Sequence, residues 1–383
     1  MKKWIKDNLG LVIKVGIIFI LLIWFIVLNI LKNNVEFCEA YSRTFARVLG
    51  TGLAFITNLF PISLAEVSII ITAVVVVILI VLIVKDFKKK LPFKAISHIV
   101  TILLIPIAII SGYMTTSEMQ YNRKAPPIPL YEENPDKTEL YSIVDYFVED
   151  YNYCASQLKF DKNGEIIVDY RMDELNEILA NEYERLNTKE FGGYFNKFTP
   201  RCKPMMSSEI YSQLQITGVD FGLFGEANVN TVQPKAGVPM VMAHEIAHTK
   251  GVMRESDANL VAMYLLLGSE NPYLRFSGYY WGFYRIMELA NYTGNKNDYQ
   301  ELDDKICYEI KLNDYHSYLY WKDHDLLGKI GDFFNNLYIK SSGDPGGTTS
   351  YNDTPTEVDE EKEIVISYSI WQRIYLHYYY NKK

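Results

Sequence analysis

"MAHEIAHTKGVMRESDAN", residues 242–259, holds two histidines four residues apart, a glutamate beside the first, and an acidic cluster just after a glycine. Pro239 suits a first helical turn and Gly251 a C-cap, so the spacing predicts about three turns of helix between them. On such a helix His244 and His248 leave the same face and can fill two of the four positions around a tetrahedral zinc ion. Glu245 is placed to take a proton from a water at that ion. A second helix is expected over "RESDANLVAMYLL", residues 254–266. Glu255, Ala258, Asn259 and Ala262 share one of its faces. Glu255 is the expected third ligand, small Ala258 lets the two helices approach, and Asn259 can hydrogen-bond a ligand. Asp257 lies about 200° around the helix from Glu255, so the two cannot both face a metal. The competing reading of an HExxH motif is a solvent-facing or salt-bridged helix. Val241, Met242, Ile246 and Ala247 oppose it, because they give the helix apolar flanks to bury.

Upstream the chain changes character. Three apolar runs occupy residues 11–31, 64–84 and 95–114. Each meets the roughly 20 residues needed to span a bilayer. The first is too long and bulky for a cleaved signal peptide and lacks a small-residue cleavage site, so it reads as an anchor. Lys14 can snorkel to the interface, and Pro106 is tolerated in a membrane helix. The loop "KDFKKKLPFK", residues 85–94, and the start "MKKWIK", residues 1–6, concentrate lysine. The positive-inside rule places both in the cytoplasm, and everything after residue 114 outside. Between the first two runs, Phe37, Tyr41, Phe45, Val48 and Leu49 recur at helical spacing and predict an amphipathic helix. Glu66 is expected near the interface.

Residues 1–114 carry 12 Lys and Arg against 5 Asp and Glu, a net of +7, so the whole-chain −8 leaves −15 for residues 115–383. An acidic second half of this kind excludes a nucleic-acid-binding surface. Residues 115–138, rich in Pro and charge around 122–137, read as a stalk. Residues 139–383 form the expected outer domain, α+β and mostly helical. Helices are predicted over 139–160, 172–188, 271–292 and the closing "IVISYSIWQRIYLHYYY", strands with a turn over 217–232, and a loop over 341–363. Cys38, Cys154, Cys202 and Cys307 all fall on the outer side, where disulfides are permitted. Their spacing matches no zinc pattern, and pairing or buried thiols both remain open.

"HEIAH" followed by "ESDAN" resembles the glutamate-class zincins, whose third ligand opens an E-x-x-A-[ND] motif, with an unusually short six-residue spacer here. The zincin class with H-E-x-x-H-x-x-G-x-x-H matches Gly251 but would need a ligand where Arg254 stands, and does not fit. Over nearly its whole length the chain resembles an uncharacterised bacterial family of three-span membrane proteins with an outer HExxH domain. "PISLAE" (61–66), "GEANVN" (225–230) and the HEIAH…ESDAN pair carry that likeness. The resemblance implies a membrane-anchored zinc metallopeptidase acting on a peptide or protein substrate outside the cytoplasm, its zinc held by His244, His248 and Glu255. In zincins a strand before the active helix often pairs with the substrate. "EANVN" is either that strand or a plain structural one. A zinc hydrolase of another amide, such as cell-wall peptide, and a non-catalytic membrane assembly or sensor protein are the alternative readings.

The orientation is testable. A reporter fused after residue 383 is expected to be active only outside the cell and one inserted at residue 90 only inside. A cytoplasmic C-terminus would overturn the topology.

Overall fold

A computed structural model describes residues 7–186, 191–341 and 368–381. The charged start at 1–6, the expected loop of 341–363 beyond Ser341, residues 364–367 of the closing segment, and residues 187 and 188 of the second outer helix lie outside the described residues. The chain divides into two compact units, Met1–Lys124 with Phe221–Glu226, and Ala125–Asp220 with Ala227–Lys383.

The first unit is built on α1 (Leu9–Leu31), α2 (Val35–Tyr41), α3 (Arg47–Thr57), α4 (Leu64–Lys88) and α5 (Pro92–Tyr113). Three helices among the described residues are long and apolar enough to cross a membrane, Leu9–Leu31, Leu64–Lys88 and Pro92–Tyr121. Their apolar side chains are largely exposed, as expected of faces that meet lipid. Lys14 does more than snorkel. Its ammonium donates to Ser97 Oγ at 3.1 Å, Thr101 Oγ1 at 2.7 Å and the Ser97 carbonyl at 3.2 Å, which ties α1 to α5. The amphipathic segment is helical but not smooth. A π turn over Ser42–Ala46 joins α2 to α3, and Glu39 turns inward to pair with Arg43 and Arg123.

Two of the quoted motifs meet in this unit. Ser63 caps α4, its hydroxyl accepting from the Glu66 amide at 3.2 Å. The Glu226 carboxylate accepts from the Leu64 and Ala65 amides and from Ser63 Oγ, each at 3.1 Å. A buried anion thus answers the orphan N–H groups and the positive end of a 25-residue helix. Gly225, at φ +60°, adopts the left-handed conformation, and a Cβ there would come within 2.9 Å of the Ala54 amide nitrogen. Only glycine lets this turn lie against α3.

The second unit contains α7 (Leu140–Ser156), α8 (Met172–Arg185), β1 (Cys202–Pro204), α9 (Ser208–Gln213), β2 (Gly218–Phe221), β3 (Glu226–Val229), α10 (Val238–Thr249), α11 (Glu255–Leu267), α12 (Pro272–Met287), α13 (Asp298–Asp304), α14 (Tyr308–Asp323), α15 (Gly328–Ser341) and α16 (Ile370–Asn381), with α6 being Met119–Tyr121 of the first unit. It is mostly helical with one small sheet, as the sequence predicts. Phe147, Tyr151, Phe276, Tyr279, Phe283 and Tyr375 form an aromatic cluster where α7, α12 and α16 meet. Residues 125–136 run without regular structure along this unit, where Arg373 donates to the Tyr131 and Glu132 carbonyls. Cys38, Cys154, Cys202 and Cys307 are thiols, not disulfides.

The sheet has the order β1-β3-β2. β1 runs parallel to β3, with Cys202 opposite Ala227. The four-residue link from β2 to β3 is too short for a crossover, so that pair is antiparallel. β1 is too short, and too interrupted by Lys and Pro, for its strand pattern to be read in sequence. "EANVN" is the structural strand of the two readings: β3 has neighbours on both sides and no edge left for a substrate. Its asparagines tie turns, Asn230 donating to Ser212 Oγ and the Ile216 carbonyl. The outer side of β1 is taken by Asn176, whose amide exchanges two hydrogen bonds with Cys202. β2 is the other terminal strand.

Replacing Glu226 by Ala strands donors in a buried place. The expected loss is about 2 kcal/mol, read as a lower midpoint of thermal unfolding in detergent. Glu226→Gln, which keeps an acceptor oxygen, should lose less. An unchanged midpoint for Glu226→Ala would contradict the capping role.

Candidate metal centre

α10 is buried almost all round, with Val238–Ala243 and Glu245–His248 inside the unit. It ends in a turn that shapes the site. Gly251 sits at φ +88°. Its amide donates to the His248 carbonyl at 2.9 Å, and the Val252 amide donates to the Ala247 carbonyl at 3.1 Å. This is a Schellman closure, which needs the left-handed residue that glycine supplies. The same turn points the Val252 carbonyl back at His248, whose Nδ1–H donates to it at 2.7 Å. A carbonyl can only accept, so Nδ1 carries a proton, and it is Nε2 that offers a lone pair to the centre when the imidazole is neutral. His244 is set in the same way by Asn259 Oδ1, 2.8 Å from Nδ1.

Arg254 is the N-cap of α11, and Glu255 is its first helical residue. The carboxylate therefore sits at the positive end of a helix dipole. His244 Nε2, His248 Nε2 and a Glu255 oxygen converge. The two nitrogens are 2.9 Å apart, and Glu255 Oε2 lies 3.0 Å from His244 and 3.4 Å from His248. Bonds of roughly 2.0–2.1 Å to a tetrahedral ion would separate its ligand atoms by about 3.3 Å. The three atoms match that spacing to within a few tenths of an ångström. These residues form a group that could hold a metal ion. Asp257 is elsewhere, paired with Arg254 at 2.7 Å.

The electrostatics point the same way. Burial favours a neutral imidazole at His248, yet the Glu255, Glu245 and Asp220 carboxylates outweigh it and push its pKa up to about 10. Burial alone would raise Glu255, but the two imidazoles hold it below the usual carboxylate range. His244 is lowered, by burial and by its neighbour His248. The cluster draws positive charge, whether as a proton or as a cation. Glu245 lies beside it, 6% exposed. Burial, with Glu255 and Asp220, raises its pKa well above the ordinary value, against the pull of His248.

Sequence reading overlooked two contributors. Asp220, on β2, has a buried Oδ1 without a hydrogen-bond partner among the described residues. Burial, reinforced by Glu255 and opposed by His248, pushes it up to about 7. Nothing in "TGVDFG" marks this aspartate as different from a strand-surface one. Gly218 lies over the catalytic candidate. A Cβ there would fall 2.5 Å from Glu245 Oε1 and 2.6 Å from Val241 Cγ1. The terminal strand thus passes directly across the middle of α10.

A metal ion must displace protons from this cluster, because ligating imidazole is neutral. Binding of one divalent ion per chain is expected. Its apparent affinity should rise about tenfold or more per pH unit from pH 6 to 8, measured by titration against a competing chelator. His248→Ala and Glu255→Ala should abolish it, and Asp257→Ala should not. Affinity independent of pH, or loss of metal in Asp257→Ala alone, would refute the assignment.

No curated protein and no solved structure matches the chain. A family model described as a protein of unknown function, DUF3810, matches residues 41–356. That span takes in the second and third apolar helices, both quoted motifs that meet at Glu226, and the whole His–Glu cluster, so the chain belongs to the DUF3810 family.

Proposed function

We propose that this protein is a membrane-anchored zinc metallopeptidase whose catalytic unit faces away from the cytoplasm. The observation that carries the reading is the convergence of two tautomer-fixed imidazoles and one carboxylate, with a buried glutamate beside them. Two nitrogen ligands and one oxygen ligand with a fourth position open are the donor set of hydrolytic zinc sites. The likeness of HEIAH…ESDAN to glutamate-class zincins supports it, and the lysine-rich loop at 85–94 supports the orientation.

A zinc ion held by His244, His248 and Glu255 would acidify the attacking water and polarise the scissile carbonyl. Glu245 would take a proton from the attacking water as the water's oxygen bonds to the carbonyl carbon. Its carboxyl, having taken that proton, can deliver it to the amine nitrogen as the C–N bond breaks. Asn259 and the Val252 carbonyl keep both imidazoles turned inward throughout. β2 offers the outer edge of a sheet beside Glu245, where an extended peptide backbone can pair and bring its carbonyl to the centre.

Glu245→Gln is expected to keep its metal and its fold and to lose at least a hundredfold in turnover. Comparing the extracytoplasmic proteome of cells carrying wild type and Glu245→Gln would identify accumulating substrates. Near-normal turnover by Glu245→Gln on a substrate so found would refute the mechanism.

A further inference from the structure

A recess lies in the same unit as the His–Glu cluster. It is a cavity of about 350 Å³ walled by Tyr280, Trp281 and Trp321, with Thr217, Gln233 and Gly237 among its lining. None of its lining side chains is charged, which selects a neutral occupant. Its size is at the small end of ligand pockets, roughly 300–1,000 Å³.

Its place relative to the metal centre is fixed by the chain. Gly237 caps the start of α10, and His244 lies seven residues on, about 10 Å along the helix axis. Thr217 directly precedes Gly218, which covers Glu245. A peptide extended along β2 advances roughly 3.3 Å per residue, so a group about three residues from the scissile bond reaches the cavity.

The polar atoms define what that group is. Gln233 is 2% exposed. It donates through Nε2 to the Thr217 carbonyl at 3.2 Å, which leaves Oε1 as an acceptor. Trp281 Nε1 is a buried donor with no acceptor among the described residues, a state that costs about 1–3 kcal/mol unless a partner is supplied. Both atoms overlook Gly237. A Cβ built there would stand 3.3 Å from Trp281 Nε1 and 3.7 Å from Gln233 Oε1, with the Tyr280 ring at 3.5 Å. A donor and an acceptor facing one spot match a secondary amide, whose carbonyl accepts and whose N–H donates. A small rotation of the indole would present its N–H to such a group. Flat aromatic walls match a ring with apolar C–H faces and polar edges. An N-acetylated hexosamine combines a neutral ring with a secondary amide.

We propose that this cavity is a substrate subsite for an N-acetylhexosamine, so that the substrate is a peptide carrying that sugar about three residues from the bond cut. The place of the sugar in catalysis rests on the peptidase reading, whereas the binding itself does not.

The test is titration of purified full-length protein in detergent with N,N′-diacetylchitobiose, followed by tryptophan fluorescence and ligand-observed NMR. It is run on wild type, metal-stripped wild type and Glu245→Gln. Saturable binding is expected in all three, weakened about fivefold or more in Trp281→Phe, which keeps the ring and loses the N–H, and at least as much in Trp321→Ala. Cellobiose, which has the rings without the acetamido group, should bind at least fivefold more weakly. No saturable binding, equal binding of cellobiose, or binding untouched by both variants would overturn the proposal. Sugar binding in protein that hydrolyses no peptide would instead count against the peptidase reading and leave the subsite standing.

Discussion

Two imidazole lone pairs and a carboxylate oxygen within 3.4 Å of one another repel unless positive charge lies between them. Much of the second unit's local architecture exists to hold this unfavourable arrangement. The Schellman turn supplies the carbonyl that orients His248, and the first turn of α11 supplies both Glu255 and, one turn on, the amide that orients His244. Ala258 and Ala262 are fully buried beside them, so the helix that bears the third ligand can lie close to α10. Buried charge is expensive unless it is paired, and here the pairing is built from two consecutive helices and the link between them.

The same economy of elements appears on the membrane side. Glu226 answers the free amides at the start of α4, while the glycine before it lets the turn lie against α3. Residues 225 and 226 therefore account for why "PISLAE" and "GEANVN" look distinctive in a chain where most membrane-facing positions are interchangeable aliphatics.

What sequence reading reached, and what it did not, follows from the range of the forces involved. The three apolar helices, α10 and α11 were legible because length, period and caps are local properties. Glu255 was separable from Asp257 by helical phase alone. The DUF3810 match supplies the family but no chemistry, so the roles of His244, His248 and Glu245 still rest on geometry. Asp220 and Gly218 were not legible, because their importance comes from a strand crossing a helix more than twenty residues away. The sheet order, which assigns "EANVN" to the middle, depends on a three-residue strand that no periodicity announces. Lys14 read as an interfacial group and, like Glu39, is an internal tie, since partners such as Thr101 and Arg123 lie 87 and 84 residues away.

Surface loops ordinarily accept added residues at small cost. The link from Thr249 to Arg254 has no such tolerance. One residue more or fewer would disturb the left-handed Gly251 closure of α10 or move the start of α11 away from Glu255, and the carboxylate would no longer stand opposite the histidines. The length of that link is therefore part of the coordination chemistry. It acts as a ruler that sets which acid meets the histidines, and a chain with the same ligands but a different spacing would need a different path between its helices to bring them together.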